Sequence, residues 1–579
     1  MKRPGIVVIS GAAGAWGDSS LSTPQLLADG RSDYVIYEGL AEITMAILTR
    51  AKQKDPAQGY ARDLIETIAA NIASYRAGGV RVVTNAGGVN PHAAAALIKE
   101  ADPSTSVGVV YGDDVLGNEP VMSDAGLSNT PLSANAYLGA RPIAAALDAG
   151  AEVVVTGRVV DSALALGPLI HEFQWARDQY DLLAAGSLAG HLIECGPQAT
   201  GGLLTDWQAT RSWSNPGFPI VEVSTDGGFT LTTPAGTDGL VDVLTVSEQL
   251  LYEIGDPAAY QLPDVVCDWT QVTLVESGPN RVEVVGARGA PPPSHYKACA
   301  QIADGWRTQF LLLVGGRDAP AKARRAGDDL VERGRRMLAD AGMGDFTATD
   351  VEVLGAETTY GANARAQTRE VVLKIAVHHE SAEAISRFVR EVPSIALAGP
   401  PGVTGGGIGL PRPTPLIRLR CFPADRTQVA AAVEVDGREV SFDDVDPDET
   451  VDVTGSVAAS STIDVEAGPT VRVPLIAIAH GRSGDKGADV NVGVRARSPE
   501  LWPVLLSELT ADRVSAYLAH LGASSVARFE LPGIHAVNFL LRDGLGEGGT
   551  ASLRFDPQGK AVAQQLLDME IDVPERLVL

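Results

Sequence analysis

The sequence predicts an α/β protein: a Rossmann-like doubly wound parallel sheet, then an α+β domain, then a small C-terminal α+β sandwich. Three observations predict it. Five short, largely β-branched runs each end in glycine or polar residues ahead of a helical pattern, as parallel strands feeding crossover helices do. From residue 219 the pattern changes to short alternating strands with Pro and Gly turns. Past an acidic and then small-residue stretch, the order strand, strand, helix, strand, strand, helix follows. The expected units are residues 1–218, 219–445, a linker at 446–468, and 469–579.

The 579 residues exceed one ordinary domain, for which roughly 150 residues is typical. Lys plus Arg total 46 against 72 Asp plus Glu, a formal charge of -26, so nucleic acid and anionic membranes are repelled and neither is an expected partner. An anionic small molecule remains a candidate ligand where a few arginines or free amides offset the global field. The apolar run at residues 6–9 is too short for a signal segment, and no stretch approaches the ~20 apolar residues of a membrane span. A cytoplasmic protein is expected. Cys195, Cys267, Cys299 and Cys421 lie far apart and are read as reduced thiols.

Residues 6–9 form the first strand, entering a turn with Gly11, Gly14 and Gly17, which is either a plain tight turn or a binding loop. Residues 34–37 form the second, ending at Glu38, and residues 41–50 and 61–76 are helical by apolar spacing. Residues 80–83 run into Asn85, Gly87 and Gly88; 107–110 into Asp113 and Asp114; and 153–156 into Arg158 and Asp161. In open α/β sheets ligands lie beyond the carboxyl ends of the strands, so Gly14, Glu38, Asn85, Gly87 and Asp161 become candidate binding residues. Arg158 is a candidate electrophile, and Asp113 with Asp114 are the candidate ligands should a divalent metal be bound.

A helix at 162–173 leads to the densest chemistry, residues 186–202, where His191, Glu194 and Cys195 sit among glycines. On a helix, positions three and four apart share a face, so all three groups can serve one cavity as catalytic candidates, before Gly196-Pro197 ends the helix. Further on, strands are expected near 230–233, 272–275, 281–285 and 370–377, with helices at 319–341 and 382–391. The glycine-rich run 398–409 is either an anion nest or a hinge.

In the last unit, residues 471–479 and 489–494 read as strands joined by a loop, His480-Gly481-Arg482-Ser483-Gly484-Asp485-Lys486-Gly487. Arg482 and Lys486 are expected to act as anion clamps there, with Ser483, Asp485 and Asn491 as further binding residues and the small domain docked against the large one. Residues 480–493, with His535 to Arg542, resemble the ferredoxin-like domain of acyclic terpene utilization (AtuA-type) proteins. Val83-Thr84-Asn85-Ala86-Gly87-Gly88, Thr156-Gly157-Arg158-Val159-Val160-Asp161 and residues 189–202 resemble their N-terminal domain. Together the resemblance covers nearly the whole chain.

Families of this kind are associated with citronellol and geraniol breakdown beside acyl-CoA carboxylases, dehydrogenases and hydratases. The resemblance therefore implies a branched acyl-CoA or carboxylic acid as substrate. The expected reaction is carbon-carbon cleavage of a 3-hydroxy-3-methylglutaryl-like thioester, in which His191 or Glu194 takes the hydroxyl proton and Arg158, Lys486 or a metal stabilises the enolate. The alternatives are a hydrolase or transferase using Cys195, and a noncatalytic acyl-CoA-binding or assembly protein. A homo-oligomer is expected.

Overall fold

Alternation along the first strands decides which helices cover them, because successive side chains take opposite faces of a sheet. The structure, a computed structural model, describes residues 4–18, 20–127, 131–405, 409–451 and 468–578. The early strands are β1 (Ile6–Gly14), β2 (Tyr34–Glu38), β3 (Arg81–Thr84), β4 (Val107–Tyr111), β5 (Ser133–Ala136) and β6 (Val153–Thr156). Ile9, Ile36, Val83, Val110 and Val154 pack on one side with Ile143, Leu166 and Leu188 of the helices Arg141–Asp148, Ala163–Phe173 and Tyr180–Ile193. Val35, Val82, Val109 and Val153 pack on the other with Leu26, Ile68 and Ile98 of Ser22–Asp29, Arg62–Gly78 and Pro91–Ala101. Both faces are thus covered by helices.

The strand order corrects the Rossmann expectation. Parallel neighbours run β1-β2-β3-β6-β4, so β1 begins the parallel array, whereas a Rossmann sheet has its first strand in the middle. The free edge of β1 is taken instead by β7 (Ile220–Ser224), antiparallel, which continues into β8 (Phe229–Thr232) and the hairpin Thr273–Gly278 and Arg281–Val285. At the far edge Ala432–Val435 and Arg438–Val440 add to β4. Residues on both sides of position 218 therefore build one mixed sheet of 11 strands among the described residues.

A second sheet is built on the long strand His295–Gly315, which pairs with β5, Glu370–His379, Val403–Gly405 and Thr414–Asp425. One face carries Phe310, Leu312, Leu373 and Ile375 under the helices Ala319–Asp340 and Ala382–Glu391. The same alternation turns Arg307, Gln309 and Leu311 to the opposite face. Cys299 lies directly opposite Cys421 across two strands and is joined to it as a disulfide, which corrects the expectation of four reduced thiols. Their separation of 122 residues hid this pairing from the sequence.

The C-terminal unit is a four-stranded antiparallel sheet in the spatial order Ala479–Lys486, Asp489–Ala496, Ala536–Arg542, Ser525–Leu531. Thr470–Pro474 and Glu570–Pro574 form a separate pair. The stretch read as a loop at 480–487 is therefore strand up to Lys486, and the turn is Gly487-Ala488, with Gly487 at φ 69°. Its glycines serve docking. A Cβ on Gly484 would lie 2.7 Å from the Tyr252 and Glu253 side chains, and one on Gly493 would lie 2.4 Å from Leu251. The expected linker falls largely on residues 452–467, outside the described residues, as do 406–408 of the glycine-rich run. Among the described residues no helix is long and apolar enough to cross a membrane.

Candidate active site

One cavity of about 1580 Å³ opens where the carboxyl ends of the parallel strands, the second sheet and the small domain meet. Gly14, Glu38, Arg158, Asp161, His191, Glu194, Cys195, Asp485 and Lys486 all line it. β1 makes room for the helix end that carries three of them. A Cβ on Gly11 would lie 2.3 Å from the Ile193 carbonyl oxygen, and one on Gly14 would lie 2.4 Å from the backbone of Cys195. These two glycines lie within the strand and allow its contact with the His191 to Cys195 turn.

The helix Tyr180–Ile193 ends as its last turn presents His191, with Gly196 following at φ 57°. His191 Nε2 lies 3.1 Å from the Gln249 carbonyl, which can only accept, so Nε2 carries a hydrogen. Nδ1 then faces Glu194 Oε1 at 3.3 Å. Burial pushes the Glu194 pKa up, opposed by its hydrogen bond from His191. The imidazole stacks on Trp269, with ring centroids 5.2 Å apart, which fixes its plane.

Across the cavity Glu38 is pushed up to about 8, first by burial and then by the nearby Asp161, while Arg158 pulls the other way. Its Oε1 accepts hydrogen bonds from the Leu40 amide at 2.5 Å and from Asn85 Nδ2 at 3.2 Å. Arg158 Nη1 donates to Asp161 at 2.9 Å and to the Leu40 carbonyl at 2.6 Å, and its guanidinium lies 4.1 Å from the centre of the Tyr137 ring. Burial pushes the Asp161 pKa up, opposed in part by Arg158 and Lys297. Asn85 is a buried support beneath Glu38, and Gly87 is packed against the Thr156 carbonyl. Neither lines the cavity.

Burial pushes the Cys195 thiol well up, and Glu194, Glu253, Glu38 and Asp161 add to it, so the thiolate is disfavoured. That environment opposes a nucleophilic role for Cys195. Asp113 lies under the sheet ends rather than in the cavity. Its Oδ2 accepts from the Arg158 amide at 2.9 Å and from Asn135 at 2.8 Å, and burial pushes its pKa up to about 6. Asp114 accepts from the Leu116 amide at 3.0 Å. Among the described residues no three His, Cys, Asp or Glu side chains are grouped so as to hold a metal ion. Asp113 thus holds the Arg158 amide and the Asn135 side chain, Asp114 holds the Leu116 amide, and neither lines the cavity.

The small domain divides its motif between cavity and interface. Lys486 Nζ donates to the Glu253 carbonyl at 3.0 Å and Tyr260 Oη at 3.2 Å, and stands 4.7 Å from the centre of the Tyr260 ring. Asn491 Oδ1 accepts from the Glu253 amide at 2.7 Å. Together they clamp Glu253 in the left-handed region, at φ 54°, unusual for a residue with a Cβ. Lys560 donates to the Glu253 carboxylate at 2.7 Å and lies 3.5 Å from Asp485. Burial works against the Glu253 anion, yet Lys560 and Lys486 hold its pKa below the usual range.

Arg482 is no anion clamp. It is 5% exposed, reaches the carbonyls of Gly202 and Leu203 at 3.4 and 3.2 Å, bonds Gln198, and lies over Tyr252. It fastens the small domain to the large one, beside Arg497, which holds Asp206 at 2.7 and 2.8 Å, and Thr205, whose hydroxyl donates to the Gly481 carbonyl at 2.9 Å. Ser483 binds the carbonyls of Gly559 and Lys560 within its own domain. The sequence reading missed Tyr137, Tyr252, Glu253, Tyr260, Lys297 and Lys560, all of which line the cavity. Only the Tyr252-Glu253 doublet at the end of an apolar helix pattern hinted at them.

The fold and the site define a two-part α/β protein whose small antiparallel domain completes a buried, carboxylate-rich cavity at the strand ends of the large one. The chain belongs to the acyclic terpene utilisation family: residues 7–435 match "Acyclic terpene utilisation family protein AtuA" and residues 473–572 match "AtuA ferredoxin-like domain". Comparison with curated proteins and with solved structures returned no match.

Proposed function

We propose that the protein is an enzyme of acyclic terpenoid breakdown that cleaves a carbon-carbon bond in a branched 3-hydroxyacyl thioester of the 3-hydroxy-3-methylglutaryl type. The family supports the pathway class, and one observation carries the chemistry. A buried carboxyl near 8, Glu38, lines the same cavity as the His191–Glu194 pair, whose Nδ1 and Oε1 lie 3.3 Å apart, with Arg158 and Lys486 along its wall. Such cleavage needs a base for the tertiary hydroxyl, an acid for the departing carbanion, and cations for the enolate oxygen.

In this reading the His191–Glu194 pair takes the hydroxyl proton. The bond between the carbinol carbon and the neighbouring methylene breaks, its electron pair enters the thioester enolate, and the carbinol becomes a ketone. Arg158 and Lys486 stabilise the enolate oxygen, and protonated Glu38 returns a proton to carbon. Such a division of labour sets an acid, Glu38, and a base, the His191–Glu194 pair, in one cavity. A hydrolase or transferase acting through Cys195 is less well supported, because its thiol is held protonated. Incubation with 3-hydroxy-3-methylglutaryl-CoA should release two carbon fragments at equal rates. Release of free CoA alone, or no turnover, would contradict the proposal.

A further inference from the structure

The cavity is larger than the roughly 300–1,000 Å³ of most small-molecule sites, and its two ends differ in chemistry. The proton-handling groups lie at the strand ends of the first sheet. The wall facing them is the open face of the second sheet, where Arg307 and Gln309 project, together with Arg412 and the segment carrying Arg554 and Phe555. An arginine that has no carboxylate partner keeps its charge available for an anionic ligand.

Three of them share this wall. Arg307 is half-buried, its pKa is lowered by burial, and among the described residues it has no carboxylate partner and its Nη1 reaches the carbonyls of Thr550 and Ser552, at 3.2 and 3.4 Å. Arg554 is held by the carbonyls of Gly544 and Leu521 at 2.7 and 2.9 Å. Arg412 is exposed and forms no ion pair among the described residues. Backbone carbonyls orient the first two guanidinium groups without neutralising them, so edges of each remain for a bidentate oxyanion. Phe555, beside Arg554, leaves 59% of its surface exposed within the cavity lining. An exposed aromatic ring next to unneutralised arginines is the combination that takes a base by stacking and its phosphates by charge.

We propose that Arg307, Arg412, Arg554 and Phe555 form a nucleotide subsite that binds the phosphates and base of an adenosine diphosphate-type group. The inference deepens the proposed function, on which it rests for the ligand: the group would be the handle of a coenzyme A thioester whose acyl end reaches Glu38 and Arg158. Free phosphate or a free nucleotide would satisfy the same arginines, so the test separates the sources.

Calorimetric titration of the full chain with adenosine 3′,5′-bisphosphate, ADP, pyrophosphate and adenosine supplies the first arm. Both nucleotides should bind, pyrophosphate more weakly and adenosine hardly at all. Arg412→Ala, which removes an exposed side chain with no ion pair among the described residues, and Arg307→Gln should each weaken nucleotide binding tenfold or more, and added salt should weaken it further. Phe555→Ala should weaken ADP but leave pyrophosphate unchanged. Failure of both nucleotides to bind the wild-type chain, pyrophosphate binding as tightly as ADP, or undiminished affinity in Arg412→Ala would overturn the subsite.

The second arm compares turnover of the CoA thioester with that of the same acyl group on N-acetylcysteamine. Equal kcat/KM for the two would overturn the subsite while leaving the lyase reading intact. Nucleotide binding with no cleavage of either thioester would overturn the lyase reading while leaving the subsite intact.

Discussion

Replacing Glu38 with glutamine should make the protein more stable and less active, and the stability gain should depend on pH in a defined way. The glutamine carbonyl keeps both hydrogen bonds that Glu38 Oε1 accepts, from the Leu40 amide and from Asn85, while the titratable proton is lost. The folded carboxyl titrates at about 8 against an ordinary 4.5, chiefly because burial disfavours its charge. Below 4.5 both folded and unfolded chains hold the proton, so Glu38 costs nothing there. As pH rises through the window from 4.5 to 8, the unfolded chain ionises and the folded one does not, so stability falls. Each pH unit in that window is worth ~1.4 kcal/mol, so at neutral pH the wild-type chain gives up about 3 kcal/mol that Glu38→Gln recovers. Denaturant unfolding of both proteins at pH 4.5, 6 and 8 measures the difference, which should be near zero at the first and grow monotonically. The same variant should lose 100-fold or more in turnover, with its alkaline limb near pH 8 abolished. A difference that does not change with pH, or a variant less stable than wild type at pH 8, would refute the assignment of a protonated Glu38.

Other substitutions separate chemistry from architecture. Lys486→Ala should reduce kcat/KM about tenfold or more, about 1.4 kcal/mol or above, with little change in thermal midpoint, because its ammonium lines the cavity between Glu253 and Tyr260. Steady-state kinetics beside thermal unfolding checks this. Arg482→Ala should do the reverse, destabilising the docked small domain by about 2–4 kcal/mol by removing a buried guanidinium that bonds the Gly202 and Leu203 carbonyls and Gln198 and packs on Tyr252. Limited proteolysis should then release the small domain from the variant, and a variant as resistant as wild type would contradict the interface role. Cys195→Ser should retain turnover within about fivefold, and the wild-type thiol should resist alkylation at pH 7.5, since its thiolate is disfavoured by burial and four surrounding carboxylates.

Periodicity made the first sheet legible, since buried parallel strands read as short apolar runs ending at polar residues. The strand order was not legible, because nothing in residues 6–14 says that β7, two hundred residues later, will cap their free edge. The site was legible where chemistry is dense in sequence, at His191, Glu194 and Cys195, and at Arg158 and Asp161. Glu253, Tyr260 and Lys560 were missed because Lys560 lies 307 residues from Glu253 in the sequence, and docking of the small domain sets Lys560 and Lys486 against Glu253 and Tyr260. Arg482 was misread for a related reason. Glycine beside arginine suggests a free anion loop, yet here Gly484 and Gly493 thin the sheet so that residues 251–253 can lie against it, and the arginine is buried by that contact.

The most direct test of the account follows 3-hydroxy-3-methylglutaryl-CoA labelled with carbon-13 at its tertiary carbon, incubated with wild-type protein and with Glu38→Gln. The account predicts that the label appears as a ketone carbon in the acidic product, that acetyl-CoA forms in equal amount, and that Glu38→Gln slows the appearance of both 100-fold or more. Intact labelled substrate after exhaustive incubation, or labelled free acid appearing with CoA and without carbon-carbon cleavage, would contradict it.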